Sequence, residues 1–313
     1  MRNPRGASEL TLAGAHALVI PVSAWGIATI NAIRWRRVAR PSIMCATHLQ
    51  RRFVAILLAA TLAACARGDA QEAESARVLF FGNSITYVGN LPAVFSALCG
   101  ASGRHCSTEM VVQGGAVLAD RIADGSLDRA AGAGGFDHLI LQERGGDLMG
   151  ARMNHAERQQ QAETAAAALV RDAREKGMKP VLLGTYQGDP ESSRTLVAAE
   201  RALAAKLDSS YVPISTSLDC GRRNEASLRW FDRDGMHPGP ALTLLMAAAL
   251  YRELFGSDPH ASELVVRAPI YGVSSGLRAD AFASKQPVLP ETPLSIDYDA
   301  ATVRSVIEVL DEQ

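Results

Sequence analysis

From residue 77 onward, short apolar runs alternate with longer stretches in which apolar positions recur every three or four residues. Residues 77–81, 108–113, 138–142, 180–184 and 211–214 are rich in Val, Leu, Ile and Phe, the pattern of strands covered on both faces. Residues 91–99, 155–176, 192–207 and 241–255 carry apolar residues at helical spacing. Pro190 precedes the third of these stretches, and Pro238 and Pro240 the fourth, where a helix tolerates proline. Gly177 and Gly256 stand at the expected stops of the second and fourth. The alternation predicts an α/β fold, a three-layer αβα sandwich around a mostly parallel sheet, with reactive groups on loops at the carboxyl ends of the strands. Residues 257–313 pattern less clearly, apart from a last helix near 301–310, and no internal repeat is visible.

The chain ahead of residue 77 reads differently. Arg51 and Arg52 precede a twelve-residue apolar run, 53–64, followed by Cys65. A basic segment, a short apolar segment and small residues before a cut site are the parts of a secretory signal, whereas a membrane span needs about 20 apolar residues. Leu62-Ala63-Ala64-Cys65 also resembles a bacterial lipobox, whose cysteine becomes the lipidated first residue of the mature chain. A plain secretory signal with an incidental cysteine, or a buried apolar helix, are the alternatives. Met44 gives a leader of ordinary length. The expected organisation is therefore 1–43 as an upstream extension or mis-assigned start, 44–65 as a lipoprotein signal peptide, 66–76 as a flexible tether and 77–313 as the folded domain. A competing reading has 11–30, interrupted by His16 and Pro21, span a membrane beside the arginines of 34–40; a span followed by a second export signal is redundant. The leader implies an exported bacterial lipoprotein facing the periplasm or exterior, with the lipid as its membrane attachment.

Charge divides at the same place. The whole chain of 313 residues carries 32 basic and 33 acidic side chains, for −1. Residues 1–65 hold eight Arg, no Lys and one acid, Glu9, for +7, which leaves 24 basic and 32 acidic residues, or −8, beyond Cys65. The near-neutral total joins a basic leader to an acidic body, and an acidic body disfavours nucleic acid and anionic surfaces as partners. Three cysteines remain after the leader. Cys99 and Cys106 flank a turn-rich loop and are candidates for a disulfide in an oxidising compartment, with Cys220 left as a buried thiol. No cysteine pair has the spacing of a zinc site and the seven His are scattered, so no metal or other cofactor is expected.

Two segments carry candidate chemistry. The first strand ends in Phe80-Phe81-Gly82-Asn83-Ser84-Ile85-Thr86. A serine between a strand and a helix can present its hydroxyl at the sheet edge, with backbone N–H groups nearby for an oxyanion, although Ser and Thr in this position also cap helices. The second is Trp230-Phe-Asp-Arg-Asp234-Gly-Met-His237-Pro-Gly-Pro240. Its Asp-x-x-His spacing lets Asp234 hold Nδ1–H of His237 and turn Nε2 outward as a base, with Asp232 as a rival orienter. The competing view makes this segment a plain Asp-Gly and Pro-Gly turn.

Taken together, the FGNS element after the first strand and the DGMHPG element before the last core helix resemble the SGNH hydrolases, the GDSL-type esterase superfamily. The resemblance spans roughly residues 77–256. It implies a flavodoxin-like sheet, Ser84 as nucleophile, His237 as general base and then acid, and Asp234 as its orienter. It also implies an oxyanion hole formed by the N–H of Ser84 and of a glycine after the second strand, where Gly115 is preferred over Gly114. The third block departs from the family pattern. The usual Asn is absent, and Gln142 of Leu141-Gln142-Glu143-Arg144 occupies its place, an amide donor on a longer stem that resembles Gln-bearing carbohydrate O-acetylesterase branches. Gln142 could instead cap the strand edge, with Glu143 pairing with Arg144.

The expected function is a serine ester hydrolase acting through an acyl-enzyme, with a small-molecule or glycan ester as substrate and a small acyl group such as acetate favoured. Two alternatives stand beside it: a catalytically silent glycan-binding or assembly lipoprotein on the same fold, and a phosphate-binding flavodoxin-like domain with 81–84 at a helix start. The intact Ser84, Asp234 and His237 speak against the first. The second lacks a Gly-rich loop with Lys and leaves His237 unexplained.

Overall fold

The computed structural model describes residues 75–150 and 156–312. The expectations for 1–43, for the leader 44–65 with Cys65, and for the tether up to residue 74 lie outside the described residues.

Five strands, β1 (Ser75–Gly82), β2 (His105–Val112), β3 (His138–Leu141), β4 (Lys179–Leu183) and β5 (Ser210–Val212), form one parallel sheet in the order β2-β1-β3-β4-β5. Strand β1 starts two residues inside the expected tether, where Ser75 pairs with His105 and Ala76 is buried. In the sheet's centre, Val78 and Phe80 face one core while Leu79 and Phe81 face the other, all fully buried. An apolar run without polar alternation is what a strand buried on both faces requires.

One face is covered by α2 (Leu91–Ala101), α7 (Ile214–Asn224) and α8 (Pro240–Phe255), which meet the sheet through Leu91, Phe95, Leu218, Leu242 and Leu245. The other is covered by α3 (Leu118–Ala123), α4 (Ser126–Gly132), α5 (Ala156–Glu175) and α6 (Pro190–Lys206). Helix α5 buries Ala162, Ala165, Ala166, Leu169, Val170 and Ala173, the one-sided stripe that its spacing predicts. Among the described residues the fold is thus the expected three-layer sandwich with a parallel, flavodoxin-like strand order.

The elements that the sequence did not announce are short or polar. A single turn, α1 (Ser84–Tyr87), follows β1. Helix α7 begins where a strand was expected to end: β5 stops at Val212, because Pro213 has no N–H to extend the ladder, and Ile214 and Leu218 then bury one face of a serine-rich helix. In the C-terminal region, β6 (Leu264–Val266) and β7 (Ile296–Tyr298) form a separate antiparallel pair ahead of α9 (Ala300–Glu308). Cys99 and Cys106 are joined by a disulfide, Cα atoms 5.9 Å apart, that ties the end of α2 to the start of β2; Cys220 is a buried free thiol.

From β1 the chain crosses to β2 on one side and later returns to β3 on the other. The carboxyl ends of these three strands therefore border the crevice where an open α/β sheet places its ligands.

Candidate active site

The chain leaves β1 through Gly82, where a Cβ would lie 1.9 Å from Oγ1 of Thr86; the turn closes only because no side chain is there. Asn83 follows as N-cap of α1. Its Oδ1 accepts from the Ile85 N–H at 3.0 Å, and its Nδ2 donates to the Ala116 carbonyl at 3.3 Å. The cap is thus supplied by Asn83, which frees the Ser84 hydroxyl from that duty. Ser84 Oγ lies 2.9 Å from Nε2 of His237.

His237 is presented by a pinched loop. Phe231 and Pro238 form an antiparallel bridge, Asp232 N–H donates to the His237 carbonyl, and Gly235 takes a left-handed φ of 69° at the tip. Within the loop, Oδ1 of Asp234 accepts from the backbone N–H groups of Met236 (2.9 Å) and His237 (3.0 Å), and Oδ2 meets Nδ1 of His237 at 2.5 Å. Asp234, not its rival Asp232, orients the ring. The His237 and Met236 backbone N–H groups, followed by the imidazole, hold the Asp234 carboxyl at about 2, so it is an anion at any mild pH. With Nδ1–H given to that anion, Nε2 turns its lone pair toward the Ser84 hydroxyl. The tautomer follows from this bonding pattern.

Tyr186, three residues past the end of β4, donates its hydroxyl to the Met236 carbonyl at 2.8 Å and packs its ring on Phe231. Burial and the nearby Asp234 push the phenol far above its ordinary value, which keeps it a donor. A lone tyrosine after a strand carries no sequence signal for this buttressing role.

The glycines after β2 lie beside the serine turn. A Cβ on Gly114 would come within 3.1 Å of the Tyr87 hydroxyl of α1, and Gly115 is exposed with φ 71°. Their loop is pinned by Asn83 at the Ala116 carbonyl and by Arg144 Nη1 at the Gly115 carbonyl, 3.3 Å.

Gln142 is not brought to the serine. Its side chain, 1% exposed, accepts from Thr86 Oγ1 at 2.7 Å, donates to the Gly184 carbonyl at 3.3 Å and meets Met246 Sδ at 3.7 Å. These contacts use the amide inside the core, because the side chain leaves β3 toward the face that α8 covers. The expected donor to an oxyanion is therefore a support beneath the serine turn. Nor does Glu143 pair with Arg144 through its side chain: the Glu143 carboxyl takes the backbone N–H groups of Arg144 and Leu118, and the guanidinium turns to Asp147 at 2.8 Å. Among the described residues no group of three metal-ligating side chains is close enough to hold an ion.

The chain matches no protein-family model and no curated protein sequence. Solved structures of similar fold include a protein of Slackia heliotrinireducens provisionally named an SGNH hydrolase (23% identity, 58% of this chain and 100% of that one, TM-score 0.47). A catalytic mutant of Axe2, an acetylxylan esterase from Geobacillus stearothermophilus, is also similar (16% identity, 57% and 94%, TM-score 0.42). A DUF4886 family protein from Bacteroides uniformis aligns over more of this chain (14% identity, 76% and 94%, TM-score 0.49). At these identities the likeness is one of fold.

Proposed function

We propose that this chain is a serine ester hydrolase of the SGNH type. The observation that carries the reading is the relay in which His237 touches both Ser84 Oγ (2.9 Å) and Asp234 Oδ2 (2.5 Å) across 153 and 3 residues of sequence. A serine hydroxyl is a weak nucleophile, and a base within hydrogen-bond reach removes its proton as attack proceeds. Ser84 Oγ adds to the ester carbonyl, Nε2 of His237 takes the proton, and the same proton passes to the departing alcohol. Water activated by Nε2 then cleaves the Ser84 acyl-enzyme and releases the acid. Asp234 keeps the ring in its tautomer and offsets the imidazolium charge. The N–H groups of Ser84 and Gly115 are the oxyanion donors in this reading, supported by the placement of the glycine loop against α1; Gln142 has no part in it.

The substrate class favoured is a small acyl group on an extracytoplasmic glycan or small molecule. Supporting it are the export-type leader, the lipobox at Cys65 and the acidic body. Labelling with a fluorophosphonate tests the enzyme itself. Wild type is expected to react at Ser84, and Ser84→Ala to stay unlabelled. Equal labelling of both would sink Ser84 as the nucleophile, and labelling of neither would instead favour a silent lipoprotein on this fold.

A further inference from the structure

Two adjacent buried polar residues, Gln142 and Glu143, follow the last residue of β3 and lie 1% and 6% exposed. Successive side chains in an extended segment leave on opposite faces, and these two diverge accordingly. Gln142 enters the core under α1, where Oε1 accepts from Thr86 Oγ1 at 2.7 Å and Nε2 donates to the Gly184 carbonyl at the end of β4. Thr86 is two residues beyond Ser84, so the amide fastens the serine-bearing turn to β4. Glu143 enters the opposite core. Its carboxyl accepts the N–H of Leu118, first residue of α3, at 3.3 Å, and the N–H of Arg144 at 2.7 Å. Arg144, held by Asp147 through Nε at 3.0 Å, then reaches forward to the Gly115 carbonyl. The loop 113–117 is thus fixed at its exit by Glu143 and at its tip by Arg144.

We propose that Gln142 and Glu143 are a pair of positioning residues that set the spacing between the two halves of the site: Gln142 fixes the turn bearing Ser84, and Glu143 fixes the loop bearing Gly114 and Gly115. Neither touches the reacting atoms. The oxyanion of a tetrahedral intermediate has to sit within hydrogen-bond distance of donors on both segments while bonded to Oγ, so their separation matters to the transition state more than to substrate binding. Buried polar groups in this location are costly unless fully paired, and here the pairing is spent on the two segments that flank the serine. The proposal rests on the esterase reading for its catalytic consequence but not for its geometry.

The test uses Gln142→Leu, Glu143→Leu and Glu143→Gln. The last keeps an oxygen at the position of Oε1, which lies within 2.7 Å of Arg144 N and 3.4 Å of Leu118 N. Hydrogen exchange is read on peptides covering 83–88 and 113–121, and kcat and KM on an aryl acetate. Faster exchange is expected in 83–88 for Gln142→Leu and in 113–121 for Glu143→Leu. Each Leu variant is expected to lose roughly 10- to 100-fold in kcat with KM nearly constant, and Glu143→Gln to recover most of the loss. Unchanged exchange in both peptides, unchanged kcat, or acceleration spread evenly over the sheet would overturn the proposal. If wild type has no esterase activity, that reading falls alone, and the exchange pattern still decides whether the pair holds the two segments. Should a Leu variant fail to fold, Gln142→Asn and Glu143→Asp shorten the reach by one methylene and take the same readings.

Discussion

At the scale of single residues, the site depends on one carboxylate being an acceptor only. Asp234 takes three hydrogen bonds, two from backbone N–H groups and one from the ring of His237. Replacing it by Asn keeps one acceptor oxygen but offers the ring a donor amide, which favours the tautomer with hydrogen on Nε2. That hydrogen faces Ser84 Oγ and removes the base. Asp234→Asn is therefore expected to lower kcat on an aryl acetate by about 10³–10⁴-fold; a loss below tenfold would show that the Nδ1 contact does not govern the base. The Asp234–His237 contact was legible in the sequence because a tight turn places Asp-x-x-His within one side chain's reach of itself, whereas Ser84 was a candidate only through the family resemblance. The Asn83 bond to the Ala116 carbonyl and the Tyr186 bond to the Met236 carbonyl were not legible, since they depend on neighbours 33 and 50 residues away.

Elements show a similar division. Long, strongly periodic segments such as α5 and α8 match their expected positions, because burial of one apolar face dominates other preferences. Single-turn α1 rests on its Asn83 cap, and α3, α4 and α7 on buried residues such as Leu118, Leu127 and Leu218, which a periodicity search does not register in such short or polar segments. The Cys99–Cys106 link joins α2 to the edge strand β2 across a short loop. Loop-closure entropy for eight residues gives about 2–3 kcal/mol. The double variant Cys99→Ser, Cys106→Ser is expected to lose about that much stability in urea unfolding under oxidising conditions, whereas reductant should bring wild type to the same midpoint and leave the variant unmoved. A variant midpoint equal to that of oxidised wild type would mean the bridge adds no stability.

For the molecule as a whole, buried carboxyls set how stability depends on pH. Burial pushes both Glu143 and Glu200 from 4.5 up to about 7. Glu200, 4% exposed, accepts from Thr185 N–H, Thr185 Oγ1 and Tyr211 OH, yet desolvation outweighs these bonds. A raised carboxyl binds more protons folded than unfolded, so its contribution is present below about 4.5 and is lost as pH rises through about 7. Asp234, lowered from 3.8 to about 2, has the opposite sign: its contribution is present above 3.8 and is lost as pH falls through about 2, outside that window. Melting temperature is expected to fall between pH 5 and pH 8 from these two groups, and Glu143→Gln and Glu200→Gln each to flatten the fall. Identical pH profiles for wild type and both variants would refute the assignment. The proposed anchor belongs to this scale too: palmitate should enter the full chain in a bacterial host and fail to enter Cys65→Ala, and incorporation that survives the substitution would rule out the lipobox.

By itself the sequence determined the layers of the fold and the strand runs, because these follow from local periodicity, and it offered Ser84, Asp234 and His237 as candidates through the resemblance of the two segments that carry them to the SGNH hydrolases. It also divided the chain's charge between a basic stretch up to Cys65 and an acidic remainder. Only the tertiary structure decided which way the third-block amide faces. Gln142 is an amide at the strand end in either case, but with α8 and the end of β4 packed on that side, its hydrogen bonds are satisfied beneath the serine turn and not above it. Nearer in sequence, Asn83 caps α1 through the Ile85 N–H, and Arg144 pairs with Asp147 and not with Glu143. The Ser84–His237 contact joins partners 153 residues apart; it is made by proximity and burial after folding, and no local pattern encodes it.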